Sequence, residues 1–200
     1  NPASGPGERR SARHAEAVRA LQRSGARVLG YVATDWGRRP GGEVDDELHR
    51  YAAWYAVDGF FLDEAPATAD RLDAMRPLAA AARRAAPGGL LVLNPGTPPN
   101  RRYFELADVV VTFEGTYADY VRRPEREPVN GEAVLVYGAT REQALAAVRD
   151  GGDDARLVYF TSGTPPNPWR PLSPYLRDLE RELRGTARGE GRGRGPCGST

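Results

Sequence analysis

The sequence predicts an α/β protein of the (β/α)8, TIM-like barrel type, and three observations carry that prediction. Six short apolar runs alternate with helical patterns along residues 9–183, the order of a parallel sheet with crossover helices. No G-x-G-x-x-G or Walker-type motif follows any run, which disfavours a nucleotide-binding sheet. Polar or aromatic residues stand just past nearly every run: Asp35 and Trp36, Asp63 and Glu64, Asn94, Glu114, and Thr161. Residues spread over many strand ends suit a barrel, whereas a doubly wound sheet gathers its site at one switch point. The chain opens on the loop NPASGPG with no element before it, so the barrel is expected to lack its first strand here. With that strand the count is seven, and no eighth run stands out.

In order, residues 9–24 place Ala15, Val18, Leu21 and Gln22 at helical spacing, and Gly25 stops the helix. Residues 28–34 (VLGYVAT) form a strand that leads into Asp35, Trp36 and a Pro/Gly loop. Residues 44–56 are amphipathic, with Leu48, Tyr51, Ala52 and Tyr55 on one stripe. A strand at residues 59–63 precedes an Ala-rich helix at 70–86, whose Pro77 predicts a kink or a restart. Residues 90–93 are a strand, 103–107 a short helix and 108–113 a strand ending in Glu114-Gly115-Thr116-Tyr117. A strand at 133–137, a helix at 141–149, a strand at 156–160 and a helix at 172–183 complete the pattern. One domain, residues 1–184, is therefore expected, followed by a Gly/Arg-rich tail, 185–200, read as disordered.

Composition excludes several function classes. The net charge is +1, which gives no electrostatic case for nucleic acid or an anionic membrane. No window is long and apolar enough to span a bilayer. All 28 basic residues are Arg, with no Lys and no Ile, a bias that reads as GC-rich coding. Pairs such as Arg83-Arg84 and Arg101-Arg102 therefore read as solvated faces rather than phosphate sites. The single Cys197 lies in the tail, and His14 and His49 fit no metal spacing. Neither a disulfide framework, a metal nor a cofactor is expected, and a monomer is.

The chain is organised around residues 57–66, VDGFFLDEAP. Gly59-Phe60-Phe61-Leu62 is a continuous apolar run suited to a strand covered on both faces. Pro66 cannot continue a ladder, so the chain turns just after Asp63 and Glu64. Strand parity puts Gly59, Phe61 and Asp63 on one face, Phe60 and Leu62 on the other. A plainer role is open to both acids: Asp63 as a helix cap, Glu64 as a solvated residue. Glu114 repeats the pattern, sharing parity with Val110 and Thr112 and leaving Val109, Val111 and Phe113 opposite. Glycoside hydrolysis needs such acids: one protonates the leaving oxygen, another attacks the anomeric carbon or activates water. The loops around them carry Tyr31, Trp36, Tyr117, Tyr137 and Trp169, flat rings on which sugar C–H faces stack. Packing alone also accounts for Tyr31 and Tyr137, which lie inside strands, whereas Trp36 and Trp169 sit in polar loops. Magnesium-dependent barrel chemistry needs a Lys or His base beside the acids, and none stands at a strand end.

Several of these segments together resemble spherulation-specific family 4: NPASGPG, Gly30-Tyr31-Val32, Trp36-Gly37-Arg38-Arg39-Pro40, and Tyr51-Ala52-Ala53-Trp54-Tyr55 into the Asp63-Glu64 strand. Asn94-Pro95-Gly96-Thr97 and Thr112-Phe113-Glu114-Gly115 complete the resemblance, which covers roughly residues 1–183. It implies a (β/α) barrel glycoside hydrolase like the fungal endo-α-1,4-N-acetylgalactosaminidase that cuts galactosaminogalactan. It also implies Asp63 as nucleophile, Glu114 as general acid/base, and Glu64 as the residue orienting Asp63 or holding the sugar 2-substituent. The expected substrate-binding set is Ser4, Tyr31, Asp35, Trp36, Asn94, Tyr117, Tyr137, Thr161, Asn167 and Trp169. An extracellular or cell-surface location is implied as well, although no signal-peptide pattern is visible. The alternative is a non-catalytic carbohydrate-binding barrel with the same groove. Two spacings of about 4.8 Å separate the strands of Asp63 and Glu114, which suggests carboxyls about 5–7 Å apart and favours retention at the short end.

Overall fold

The computed structural model describes residues 5–124, 127, 129–149 and 157–190. Six strands occur among them: β1 (Gly30–Ala33), β2 (Gly59–Asp63), β3 (Leu90–Asn94), β4 (Val109–Thr116), β5 (Glu132–Tyr137) and β6 (Leu157–Phe160). They form one parallel sheet in the order β1-β2-β3-β4-β5-β6. The α-helices are α1 (Ala12–Arg23), α2 (Gly41–Tyr55), α3 (Leu72–Ala85), α4 (Tyr117–Arg122), α5 (Arg141–Arg149) and α6 (Leu176–Glu190). Neighbouring strands are thus consecutive in the chain, with helices in the connections, which is the β/α repeat of the TIM-like class. Among the described residues no helix is long and apolar enough to cross a membrane.

The chain divides into two compact units, Asn1–Phe113 with Gly131–Ala133, and Glu114–Asn130 with Val134–Thr200. In the first, α2 buries Val44, Leu48, Tyr51 and Tyr55, the i, i+4, i+7, i+11 stripe of an amphipathic helix. These pack with Phe60 and Leu62 of β2 and with Leu72, Met75, Leu78 and Ala82 of α3 in one core. The parity of β2 is as expected: Phe60 and Leu62 are buried, while Phe61 and Asp63 are half-buried. Gly59 has φ 145°, and a Cβ there would lie 2.0 Å from the Leu90 carbonyl oxygen, so only glycine fits beside β3. In the second unit, Leu179 of α6 is buried, and Arg141–Asp178 (2.7 Å) and Arg149–Glu182 (2.9 Å) ion pairs link α5 to α6.

Several boundaries differ from the sequence reading. The first strand begins at Gly30 rather than residue 28, because the Val28 N–H bonds the Asp58 carboxylate (2.8 Å). Pro77 neither restarts nor interrupts α3; it merely withholds an N–H from the Asp73 carbonyl. A 3-10 turn (Ala69–Arg71) precedes that helix, and another (Arg101–Glu105) stands where a short helix was expected. β4 runs on through Glu114 and Gly115 to Thr116, whose hydroxyl caps α4 by accepting from the Asp119 N–H (3.1 Å). Pro171 and Pro174 delay α6 to Leu176, and it continues to Glu190. Residues 191–200 of the expected tail lie outside the described residues.

Candidate active site

In the first unit, the strand register brings three residue types to one place. Tyr31 pairs with Phe61 and Ala33 with Asp63 across β1 and β2, and Asp63 pairs with Asn94 across β2 and β3. Parity then puts Tyr31, Asp63 and Asn94 on a common face. Both Asp63 oxygens are engaged: Tyr31 donates its hydroxyl to Oδ2 (2.7 Å), and Asn94 donates Nδ2 to Oδ1 (2.8 Å). Asn94 is buried, Tyr31 and Asp63 half-buried. The Tyr31 ring stacks on Phe61 with centroids 6.3 Å apart and planes 13° from parallel. Two neutral donors on a carboxylate leave it an acceptor on both oxygens.

The turn after β2 is interlocked with the turn after β1. Glu64 sits at φ 52°, the left-handed region, as do Asp35 (48°), Trp36 (50°) and Gly37 (73°). A non-glycine residue there costs about 1 kcal/mol or more and persists where its surroundings over-determine it. The surroundings are on hand. The Glu64 carbonyl accepts from Thr34 Oγ1 (2.8 Å) and from the Trp36 N–H (2.6 Å). The Asp63 carbonyl accepts from the Thr34 N–H (2.8 Å), and the Ala65 N–H donates to the Asn94 carbonyl (3.0 Å). Three successive residues carrying both acids are therefore pinned from both flanking strands. Arg39 braces the first turn from below, donating to the Ala33 carbonyl (2.8 Å) and to both oxygens of Glu47 (2.9 and 3.3 Å).

Trp36 is 48% exposed, with the Arg38 guanidinium 5.2 Å from its ring centroid. Arg38 also donates to both oxygens of Asp35 (2.7 and 3.2 Å) and holds that carboxyl below the usual carboxylate range. Asp35 thus meets solvent already paired. Ser4 lies outside the described residues.

In the second unit, Glu114 Oε1 accepts the indole N–H of Trp169 (3.0 Å). The Trp169 ring is itself set edge-on against Tyr137 (centroids 5.7 Å, planes 85° apart) and tilted against Tyr159 (6.2 Å). Tyr159 is anchored in turn, its hydroxyl accepting from the Ser173 N–H (2.9 Å). Tyr137 and Trp169 are therefore brought together, with Trp169 on Glu114. Tyr117 opens α4 and lies 6.0 Å from Tyr120. Thr161 is fully buried and serves its turn, the hydroxyl accepting from the Gly163 N–H (3.1 Å). Asn167 is exposed, and its carbonyl accepts from the Arg170 N–H. Among the described residues, no group of three His, Cys, Asp or Glu side chains could hold a metal ion.

The reading of the sequence missed Thr34, Arg39 and Tyr159. Thr34 carried a weak signal, a β-branched hydroxyl residue directly before a turn; the other two act through contacts that no local pattern announces.

Comparison with known proteins gives three findings. The model of spherulation-specific family 4 matches residues 1–181. Spherulin-4 of Physarum polycephalum is 30% identical over 131 residues, which are 61% of this chain and 40% of that protein. The chain thus spans well under half the length of this curated relative. The crystal structure of Aspergillus clavatus Sph3 in complex with GalNAc superposes with a TM-score of 0.78 at 24% identity, covering 92% of this chain and 83% of that one. That likeness establishes the fold.

Proposed function

Since the chain belongs to spherulation-specific family 4, we propose that it is a glycoside hydrolase cutting an α-1,4-linked polymer of galactosamine and N-acetylgalactosamine from within. The observation that carries the reading is the Asp63 carboxylate held by two neutral donors at the C-terminal end of a parallel strand, where barrels of this type place their chemistry. The GalNAc held by the fold relative Sph3 supports an amino sugar as the substrate class. A location outside the cell, in a matrix or wall, follows from such a polymer.

In the proposed reaction Asp63 attacks the anomeric carbon while Glu114 gives its proton to the leaving glycosidic oxygen. The C1–O bond breaks and a glycosyl ester forms on Asp63. Water then attacks C1 and gives a proton to Glu114, and Asp63 leaves as the carboxylate, so configuration is retained. Glu64, on its pinned left-handed backbone, orients Asp63 or takes the sugar's 2-substituent. Trp36 offers an exposed face for a neighbouring sugar ring.

The test is reducing-end release from galactosaminogalactan by the chain and by its Asp63→Ala, Glu64→Ala and Glu114→Ala variants. Release by the parent and its loss from the variants supports the reading. Binding of the polymer without release marks a carbohydrate-binding barrel instead. Parental release from all three variants removes the acids from the chemistry.

A further inference from the structure

The geometry points to Tyr31 as a positioning residue for the Asp63 carboxylate rather than a platform for sugar. This rests on the glycosidase reading for its consequence, but the contact itself belongs to the chain. Tyr31 stands two residues before Ala33, the register partner of Asp63. A long side chain at that diagonal position on the same face reaches across to the neighbouring strand. Its hydroxyl ends on Asp63 Oδ2 at 2.7 Å, a short charge-assisted bond. The ring lies near-parallel to Phe61, with centroids 6.3 Å apart, which steadies its orientation. Asn94 takes the other carboxylate oxygen, and its amide is set by β3 and buried. The two donors come from opposite flanks and fix the rotation of the carboxyl about its Cβ–Cγ bond.

Fixing that rotation has a chemical consequence. An oxygen that attacks C1 must present a lone pair along the line of the bond being broken, and a misplacement near 1 Å costs about a hundredfold in rate. Tyr31 and Asn94 each use one lone-pair direction of one oxygen, and among the described residues a second direction remains on each. When the ester forms, charge leaves the carboxyl and the Tyr31 bond weakens. When the carboxylate is expelled in the second step, the bond strengthens again. Tyr31 therefore aids departure of Asp63 in the hydrolytic step as well as its aim in the first.

The test uses Tyr31→Phe in the full chain, which removes one oxygen and keeps the ring on Phe61. On an α-1,4-linked N-acetylgalactosamine oligosaccharide, kcat is expected to fall about ten- to hundredfold, with KM within about twofold, as for a lost aiming contact. A change confined to KM would instead make Tyr31 a substrate-binding residue and overturn the inference. The second readout needs no turnover: carbodiimide-driven amidation of Asp63, measured by peptide mass spectrometry against exposed Asp119 in the same sample. The variant is expected to label Asp63 severalfold faster than the parent, because one oxygen has been released. Equal labelling overturns the inference whether or not the oligosaccharide is cut. A parent that cuts nothing, with Asp63 labelling still accelerated in the variant, leaves Tyr31 as the holder of Asp63 and removes the glycosidase reading alone.

Discussion

The two ends of the strands in the first unit use aspartate for opposite purposes. At the N-terminal ends, Asp58 stands directly before β2 and Asp108 directly before β4. Asp58 reaches back to the backbone just before the preceding strand, and Asp108 to the second residue of its own preceding strand. Asp58 Oδ2 accepts from the Val28 N–H (2.8 Å) and from Gln22 Nε2 (3.0 Å). Asp108 Oδ2 accepts from the Leu91 N–H (2.8 Å), and Arg83 bonds both its oxygens (2.7 and 3.0 Å). At the C-terminal end, the Asp63 carboxylate is held, among the described residues, by the side chains of Tyr31 and Asn94. A carboxylate bonded to a neighbour's backbone stitches strand register, so its loss is felt as stability. A carboxylate held by side chains can exchange a contact for a substrate atom without loosening any ladder. The same separation of stabilising and reactive ends is general to parallel barrels.

The comparison can be broken at four places. Glu114→Gln keeps the acceptor for Trp169 but cannot deliver a proton; turnover on the oligosaccharide is expected to fall about a thousandfold, within the usual span for a general acid. Gly59→Ala, beside Asp58, drives a Cβ into the Leu90 carbonyl; chemical denaturation is expected to show a loss of about 3 kcal/mol or more. Asp108→Ala removes a carboxylate from Arg83 and Leu91 N–H. With both ion-pair partners more than a third exposed, screening limits the expected loss to about 2 kcal/mol, turnover being retained. Asp58→Ala frees the Val28 N–H and is expected to cost about 1 kcal/mol, again with turnover retained. A loss of turnover from either N-terminal variant at full stability would erase the distinction between the ends.

Much of this first unit was legible from local pattern. β2 has the same bounds in sequence and structure, because a continuous apolar run from Gly59 to Leu62, closed by two acids and Pro66, leaves few alternatives. The α2 stripe and the alternation of β2 follow from period alone. What stayed hidden depends on neighbours. The bond from Tyr31 to Asp63 needs the β1–β2 register, and that from Trp169 to Glu114 spans 55 residues. The left-handed backbone of Asp35, Trp36 and Glu64 has no signature in residue type, since it is imposed by Thr34 and the paired turns. β1 came out shorter than read because a side chain, Asp58, replaced a ladder partner for Val28.

The most direct measurement is on Asp63→Asn, with turnover on the α-1,4-linked N-acetylgalactosamine oligosaccharide and unfolding free energy taken from the same preparation. The amide keeps the size of the side chain and one oxygen to accept from Tyr31 or Asn94, while losing the charge that would attack C1. Turnover is expected to drop about a thousandfold or more, with stability within about 1 kcal/mol of the parent. Parental turnover, or a stability loss as large as that of Asp108→Ala with turnover unchanged, would place Asp63 with the structural aspartates and contradict the account.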